Sequence, residues 1–270
     1  MKKIIFLIGL ILSANLFASE ILAKSWLVAD SDGEVIDEKN MSQVQPIASI
    51  TKLMTVMVVL DSKQNLNESF KFKKFKNVEI TRSQLINLAI IRSDNEAADM
   101  LCKVYVRGYK GCIEDMNIKA EKLGMTSTIF YDSTGIDNRN VSSASDLIKM
   151  LRAAEDYKEI TNASTQSRSW VDVPYKKVTY IKQKDKKNKK IKLVAVYKDK
   201  KIEFVNTNPL VSKYQIIVSK TGYVKASGGC LAMSAIVDGV KKYYIILNSK
   251  TTKTRIIDME KLILKSKINA

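Results

Sequence analysis

The sequence predicts an α+β fold in which the two ends of the chain form one β-sheet and a helical segment is inserted between them. Short apolar or alternating stretches, typical of strands, occur near the start and the end of the chain. The segment between them carries apolar residues at helical spacing. With 270 residues, of which 46% are hydrophobic, the chain can bury a sizeable core in one unit.

The first 18 residues have the pattern of a secretory signal peptide. Two lysines precede an apolar run from Ile4 to Leu12, and small and polar residues follow it. The run is shorter than the roughly 18 apolar residues that a spanning helix needs. We expect cleavage after Ala18, with an uncleaved N-terminal anchor as the alternative, and a mature domain over residues 19–270. No C-terminal membrane anchor is evident, so an exported, periplasmic protein is predicted.

The mature chain begins with a predicted β-hairpin. Residues Ser25 to Ala29 are apolar, turn residues occupy Asp30 to Gly33, and Glu34 to Ile36 form the returning strand. After Pro46, nearly every position from Ile50 to Leu60 is apolar or small. A helix that is apolar all round belongs in the core, so we expect this helix at the centre of the protein.

The middle of the chain is predicted to be mainly helical. Residues 65–80 are rich in lysine and phenylalanine and look irregular, and a helical pattern begins at Thr81. Further helical patterns, bounded by Gly, Asn or Ser, lie at Glu96 to Val106, Ile113 to Leu123 and Ala144 to Ala154. Together they predict a helical lobe over about residues 75–165.

The last third of the chain is predicted to be mainly β-structure. Short alternating stretches predict a β-hairpin insertion over about residues 170–205, with a very basic tip from Lys182 to Lys190. This tip could hold an acidic polymer or could simply be solvated. Three strand-like segments and a closing helix follow, at Ile216 to Ser219, Cys230 to Val237, Lys242 to Asn248 and Ile256 to Leu264.

The charge of the chain is strongly positive, with a formal value of +17 from 45 basic and 28 acidic residues. Such a surface attracts anionic polymers. An exported protein rarely meets nucleic acid, and the basic residues are not interleaved with aromatic side chains as stacking platforms would be. We therefore predict an anionic wall or membrane surface as a partner, and no nucleic acid.

Histidine and cysteine counts restrict the chemistry. The chain has no histidine, which removes the usual general base of serine and cysteine hydrolases and the commonest zinc ligand. No metal or organic cofactor is indicated. The three cysteines, Cys102, Cys112 and Cys230, are too few to hold the fold together. Two alternatives remain open: a disulfide between Cys102 and Cys112, or free buried thiols.

Three short motifs carry the chemistry: Ser49-Ile50-Thr51-Lys52, Ser93-Asp94-Asn95 and Lys220-Thr221-Gly222. Each motif alone is weak evidence in a lysine-rich chain. Their occurrence together and in this order is typical of class A β-lactamases and penicillin-binding proteins.

The first motif combines a nucleophile with a base. Residues i and i+3 share a helix face, so the amine of Lys52 can reach the hydroxyl of Ser49. The start of a helix also directs free N–H groups towards a reacting oxyanion. Lysine becomes a useful base when its pKa is lowered, and burial beside a second cation such as Lys220 would do that. A helix cap would explain Ser49 equally well, but not a lysine in so apolar a helix.

The other two motifs have a structural and a functional explanation each. Ser93 and Asn95 could be caps of another helix. Lys220 to Gly222 could be a strand end before a turn. In the functional explanation, an edge strand pairs with an extended peptide while Lys220 and Thr221 bind its carboxylate.

Residues Pro46 to Thr55 resemble the active-site segment of low-molecular-weight penicillin-binding proteins, the D-alanyl-D-alanine peptidases. The similarity extends through Leu123-Gly124-Met125, Asp132-Ser133-Thr134-Gly135 and Asn206-Thr207-Asn208, and covers most of residues 25–260. Within that family the chain is most similar to the penicillin-binding protein 7 type, an endopeptidase. The resemblance implies a β-lactamase/transpeptidase-like fold, with a central antiparallel sheet flanked by helices and an inserted helical lobe.

The resemblance also implies a role for each matched residue. Ser49 would be the acylated nucleophile, Lys52 its base and Ser93 a proton shuttle. The substrate-binding residues would be Asn95, Lys220, Thr221, Gly222, Tyr223 and Arg255. The backbone N–H groups of Ser49 and Tyr223 would form the oxyanion hole, and Arg255 matches a carboxylate-binding arginine of some members. The lysine-rich hairpin looks longer than the family pattern.

These implications predict peptidoglycan peptides as substrates and β-lactam antibiotics as covalent inhibitors. A class A β-lactamase also needs an E-x-x-L-N segment, and none follows Asn95. Family carboxypeptidases commonly carry a further β-rich domain and a C-terminal anchor, whereas this chain stops at Ala270, which favours an endopeptidase over a carboxypeptidase. A non-catalytic cell-wall-binding protein, suggested by the +17 charge, is the alternative from another class.

Overall fold

Eleven strands and seven α-helices make up the part of the chain that the structure describes. The computed structural model describes residues 20–75, 77–184 and 191–268, with side chains outside 172–200 and 268. The strands are β1 Ser25–Ala29, β2 Val35–Lys39, β3 Gln45–Pro46, β4 Ser69–Phe72, β5 Val78–Thr81, β6 Val141–Ser142, β7 Arg168–Lys184, β8 Ile191–Val205, β9 Gln215–Val224, β10 Gly228–Val237 and β11 Val240–Ser249. The helices are α1 Thr51–Asp61, α2 Arg82–Ile91, α3 Asn95–Lys103, α4 Gly108–Lys122, α5 Ala144–Ala154, α6 Lys158–Thr165 and α7 Thr252–Ile268.

The central sheet joins the two ends of the chain. Its five strands run in the order β2-β1-β11-β10-β9, and all neighbours are antiparallel. Ser25, near the start of the chain, lies opposite Leu247, near its end. The predicted α+β fold, with one sheet built from distant segments, is confirmed. Among the described strands, β9 lies at one edge of this sheet.

The sheet separates two hydrophobic cores. Side chains alternate across a strand, so Tyr243 and Ile245 of β11 face the larger core with α1 and α5. Tyr244 and Ile246 face the smaller core beneath α7. Because both faces are covered, all five residues of β1 are buried, as the apolar run in the sequence predicts.

Helix α1 lies in the larger core, as its apolar sequence predicts. Nine of its 11 residues are buried, and α2, α3, α4 and α5 pack around it. One detail differs from the prediction. A 3₁₀ turn over Ala48–Ile50 precedes the helix, so Ser49 lies in this turn and the α-helix begins at Thr51. Short 3₁₀ segments of this kind are frequent at helix N-termini.

Several predicted elements are altered in the structure. The four short stretches between residues 170 and 205 are two long strands, β7 and β8, which form a separate sheet with a register shift between Val173 and Lys177. The stretch that looked irregular forms the β4–β5 hairpin, in which Phe70 lies opposite Ile80. Lysines between its aromatic residues concealed the alternation. Helix α6 was not predicted.

The signal peptide over residues 1–18 and residues 185–190 of the basic tip lie outside the described residues.

The cysteines adopt both of the arrangements that the sequence left open. Cys102 and Cys112 form a disulfide that joins the end of α3 to the start of α4. Cys230 on β10 is free and buried. Within the described ranges, no helix combines the length and the apolar character needed to cross a membrane.

Candidate active site

The fold brings the three sequence motifs together at one cleft. The first lies at the 3₁₀ turn before α1, the second between α2 and α3, and the third on the edge strand β9. Lys52 of the first motif bonds to Asn95 of the second, and Lys220 of the third motif bonds to Ser93 of the second. The motifs lie 43 and 127 residues apart in these two contacts, so tertiary packing alone brings them together.

Lys52 is the centre of the cleft. Its Nζ donates to the Oγ of Ser49 at 2.7 Å and to the Oδ1 of Asn95 at 2.7 Å. A third bond, of 2.6 Å, goes to the backbone oxygen of Thr134. The lysine side chain is fully buried. The hydroxyl of Ser49 and the amine of Lys52 are therefore within the distance at which a proton can pass between them.

Burial lowers the pKa of Lys52 to about 7. The carboxylates of Asp132 and then Asp94 oppose this shift, because negative charge favours the ammonium form and raises the pKa. An amine with a pKa near neutrality is largely unprotonated slightly above pH 7. Lys52 can then accept a proton from the serine hydroxyl.

Lys220 is a second buried amine in the same cleft. Its Nζ donates to the Oγ of Ser93 at 2.8 Å and to the backbone oxygen of Thr221 at 3.0 Å. Burial lowers the pKa of Lys220 well below its usual range, and the charges of Lys52 and Arg255 lower it further. The sequence predicted that burial beside this second cation would lower the pKa of Lys52. Burial does lower it, but Lys220 is not among the groups that shift it, whereas Lys52 does lower the pKa of Lys220.

The second motif lies at the start of α3, and its middle residue, Asp94, is the N-cap of that helix. The side chain of Asp94 accepts a bond from the N–H of Ala97 at 3.1 Å and pairs with Lys74. Because Asp94 caps α3, the side chains of Ser93 and Asn95 are free to bond to the two lysines. Ser93 has a φ of +59°, a left-handed conformation that costs energy for a residue other than glycine. Such strain is commonly retained at functional sites.

Two glycines allow other segments to approach Ser49 closely. A Cβ on Gly135, which has a φ of +80°, would lie 1.9 Å from the oxygen of Ala48. A Cβ on Gly222 would lie 2.7 Å from the oxygen of Ile47 and 3.1 Å from the nitrogen of Ser49. Neither position has room for a side chain, so both glycines fix the backbone around the Ser49 turn.

The loop after residue 131 supplies a contact to which the sequence assigned no role. The carboxylate of Asp132 accepts bonds from the N–H groups of Thr134 at 2.8 Å, Gly135 at 2.5 Å and Asp137 at 2.8 Å. This turn holds the oxygen of Thr134 against Lys52. An Asp followed by Gly three residues later is a turn signal. It could have predicted the loop, but not its contact.

The third motif is fixed by two neighbours. Thr221 donates its hydroxyl to that of Thr207 at 2.6 Å, a partner to which the sequence gave no role. Arg255, only 7% exposed, donates from Nη1 to the backbone oxygen of Gly222 at 2.8 Å. Burial lowers the pKa of Arg255 to about 10. The side chain of Tyr223 is half exposed at the edge of the sheet.

This arrangement is suited to covalent acyl transfer by serine. It provides a hydroxyl bonded to a low-pKa amine, a second hydroxyl bonded to a second amine, and an edge strand packed closely against the backbone of Ser49. Across the described part of the chain, no group of three or more Cys, Asp or Glu side chains could hold a metal ion.

Comparison with known proteins identifies close relatives. The sequence family of S11 peptidases, described as D-alanyl-D-alanine carboxypeptidase, matches residues 13–78 and 63–251. The D-alanyl-D-alanine endopeptidase of Escherichia coli (strain K12) is 32% identical over 90% of this chain and 76% of its own length. The D-alanyl-D-alanine endopeptidase of Pseudomonas aeruginosa is 31% identical over the same shares of the two chains.

Solved structures share the fold. The Streptomyces K15 DD-transpeptidase superposes with a TM-score of 0.76 at 24% identity, over 93% of this chain and 99% of that one. Penicillin-binding protein D2 from Listeria monocytogenes, in its ampicillin-bound form, gives a TM-score of 0.74 at 23% identity, over 91% and 97%. The predicted transpeptidase-like fold is confirmed, and the chain belongs to the S11 peptidase family of D-alanyl-D-alanine carboxypeptidases.

Proposed function

We propose that the protein is a serine D-alanyl-D-alanine endopeptidase that cleaves peptidoglycan cross-links through an acyl-enzyme on Ser49. The observation that carries the proposal is the 2.7 Å contact between the Oγ of Ser49 and the Nζ of Lys52. In a chain without histidine, a buried amine with a pKa of about 7 is the base best suited to activate that serine.

In the proposed acylation, the Oγ of Ser49 bonds to the carbonyl carbon of a D-alanine residue while its proton passes to Lys52. The N–H groups of Ser49 and Tyr223 bind the developing oxyanion. The carbon–nitrogen bond then breaks, and the proton held by Lys52 passes through the hydroxyl of Ser93 to the leaving amine, which leaves Lys52 neutral again. Water hydrolyses the ester with Lys52 again as base, which releases the shortened peptide and restores the enzyme.

The proposed substrate is an extended peptide that lies along the edge strand β9. Main-chain groups at an exposed sheet edge can pair with such a peptide. Asn95, Gly222 and Tyr223 would bind its backbone, and Lys220 and Thr221 its carboxylate. The fixed positions of Gly222 and Thr221 beside the nucleophile support this geometry.

The relatives favour an endopeptidase over a carboxypeptidase. Endopeptidases from Escherichia coli and Pseudomonas aeruginosa are 32% and 31% identical to this chain over 90% of its length. The carboxypeptidases DacF of Bacillus subtilis and DacC of Escherichia coli are 24% and 25% identical over 89% and 91%. The description of the matched family favours the carboxypeptidase, which is the second candidate.

Further features of the proposal concern inhibitors and location. The ampicillin-bound Listeria relative supports β-lactams as compounds that acylate Ser49, and the missing E-x-x-L-N segment supports a long-lived adduct. We place the enzyme in the periplasm after removal of residues 1–18, with residues 19–270 as one catalytic domain. Its basic surplus would hold it near an anionic wall or membrane surface, because residues 1–18 contain only two of the 45 basic residues.

Intact-mass measurement after treatment with penicillin tests the nucleophile. The wild-type protein should gain one penicillin mass, and peptide mapping should locate it at Ser49. Ser49→Ala should gain none, whereas the control Ser212→Ala, at an exposed serine, should behave as the wild type. An unmodified wild-type protein would support a non-catalytic wall-binding protein instead.

A side-by-side digestion separates the two peptidase activities. Cross-linked muropeptide dimers and pentapeptide monomers are incubated with the wild-type protein and with Ser49→Ala. An endopeptidase should convert dimers into monomers and leave most pentapeptides intact. Release of D-alanine from pentapeptides without cleavage of dimers would instead identify a carboxypeptidase.

A further inference from the structure

Arg255 is a buried cation without an acidic partner in the described part of the chain. It is only 7% exposed, and its one side-chain hydrogen bond goes to the backbone oxygen of Gly222 at 2.8 Å. Its Nε is buried and makes no hydrogen bond. Burying an uncompensated charge is costly, so this arrangement calls for a functional explanation.

The bond from Arg255 acts on a peptide group that belongs to the active site. The oxygen of Gly222 and the N–H of Tyr223 are parts of the same planar peptide unit. A cation that holds the oxygen also fixes the direction of the N–H. Hydrogen bonds in a chain polarise one another, so the N–H of Tyr223 becomes a stronger donor on its opposite side.

This peptide unit lies beside the nucleophile. A Cβ on Gly222 would be 3.1 Å from the nitrogen of Ser49 and 3.1 Å from the Cβ of Ala48. The same close packing holds Arg255 from behind, because a Cβ on Gly229 would lie 3.0 Å from the Cβ of Arg255. The Cβ of Arg255 is therefore packed against β10, and its guanidinium is positioned by the bond to Gly222.

We propose that Arg255 is a positioning residue for the oxyanion hole, acting through the Gly222–Tyr223 peptide. The inference rests on the proposed function, since it assigns Arg255 to the transition state of the acyl transfer. Negative charge that develops on the substrate oxygen provides the counter-charge that the ground state lacks. The family resemblance implies instead that Arg255 binds the substrate carboxylate. That role predicts an effect only on substrates that carry a free carboxylate.

A matched pair of substrates separates these two roles. One is a thioester peptide with a free terminal carboxylate, and the other is the same peptide with that carboxylate amidated. The variants are Arg255→Met, which removes the charge, and Arg255→Lys, which keeps it. Lys253→Gln, at an exposed residue on the same turn, is the control. Acylation rate and noncovalent affinity are measured separately for each protein.

We expect Arg255→Met to slow acylation about 10- to 100-fold with both substrates, somewhat less than the loss of a whole oxyanion donor. Ground-state affinity should be unchanged, and Arg255→Lys should recover part of the rate. A peptide boronic acid, which forms a tetrahedral adduct, should lose affinity in the same proportion. A merely structural role would not produce this proportionality.

Loss confined to the substrate with a free carboxylate, or loss in affinity alone, would overturn the inference. Circular dichroism checks whether Arg255→Met folds. If it does not, Arg255→Lys is tested instead, and an unchanged acylation rate together with an unchanged boronic acid affinity in that variant also overturns the inference. If the wild-type protein itself fails to acylate, the proposed function fails instead. An active wild type with fully active variants rejects only the role of Arg255.

Discussion

The cations of the cleft and the cations of the outer surface bind different partners. The cleft cations are Lys52, Lys220 and Arg255. Among the described residues they donate only to hydroxyl, amide and carbonyl oxygens, and burial lowers the pKa of each. The surface cations that pair with carboxylates include Lys103, Lys213 and Lys241. For these, a hydrogen bond to a carboxylate raises the pKa.

The difference shows how one residue type supplies both a catalyst and a solvated surface. A carboxylate bonded to Lys52 would hold it as ammonium and remove its use as a base. Two acids, Asp132 and Asp94, raise the pKa of Lys52 through their charge, but both accept hydrogen bonds from other donors. Asp132 accepts three backbone N–H groups, and Asp94 accepts one and pairs with Lys74. The cleft thus contains acids near the amine without an ion pair to it.

Removing the cleft amine should have the largest effect. Lys52→Met deletes the base while keeping the length of the side chain. We expect acylation of Ser49 by penicillin to fall about 10²- to 10⁴-fold at pH 7, the range of a general base. The time course of adduct mass measures the rate, and circular dichroism checks the fold. A rate within tenfold of the wild type would remove Lys52 from the mechanism.

Adding an acid to the cleft should give Lys52 a carboxylate partner like those of the surface lysines. The base must be neutral, so wild-type acylation should be lost as the pH falls through about 7 and reach a plateau above it. Asn95→Asp places a carboxylate at the atom that Lys52 contacts at 2.7 Å. A nearby opposite charge should move this midpoint up by about 1–3 pH units, so acylation at pH 7 falls about 5- to 500-fold.

The pH–rate profile measures this second effect directly. Activity of Asn95→Asp should recover at higher pH, because the amine is then deprotonated. The control Asn162→Asp, the same change at an exposed residue of α6, should keep the wild-type midpoint. An unchanged midpoint in Asn95→Asp would mean that the pKa of Lys52 does not limit acylation.

Lys74 links the two regions, because it is a partly exposed cation that pairs with the buried Asp94. Lys74→Met leaves that carboxylate without its cation. We expect a loss of about 1–2 kcal/mol in the free energy of unfolding, less than for a fully buried pair because Lys74 is 38% exposed. The midpoint of the pH–rate profile should also move to a slightly higher pH, since Asp94 raises the pKa of Lys52.

Denaturant unfolding and the pH–rate profile test this pair of effects. Lys74→Arg should restore both, because it keeps the charge. If Lys74→Met changed stability while leaving the pH–rate profile untouched, Asp94 would have only its capping role.

The smallest effect is expected at the opposite end of α3. Lys103 pairs with Asp99 one turn earlier, on the exposed surface. Lys103→Met should cost about 0.3–0.5 kcal/mol, and the cost should shrink at high salt. Acylation should not change. A large change in acylation would show that the contrast between cleft and surface cations is too simple.

Much of the fold follows from local patterns. The apolar runs at Ser25–Ala29 and after Ser49 predict a buried strand and a buried helix, because such segments need apolar neighbours on every side. Helix α6 and the β4–β5 hairpin were missed, because short or lysine-rich segments carry little periodic signal and depend on packing.

The sequence by itself determined the chemical types of the groups in the cleft: a serine three residues before a lysine, two further motifs in order, and no histidine. Only the tertiary structure decided their environment. The contact of Thr134 with Lys52, the packing of Gly135 against Ala48 and the bond from Arg255 to Gly222 join segments that are distant in the chain. The pKa of a buried amine depends on everything that excludes water from it, and no local pattern specifies that.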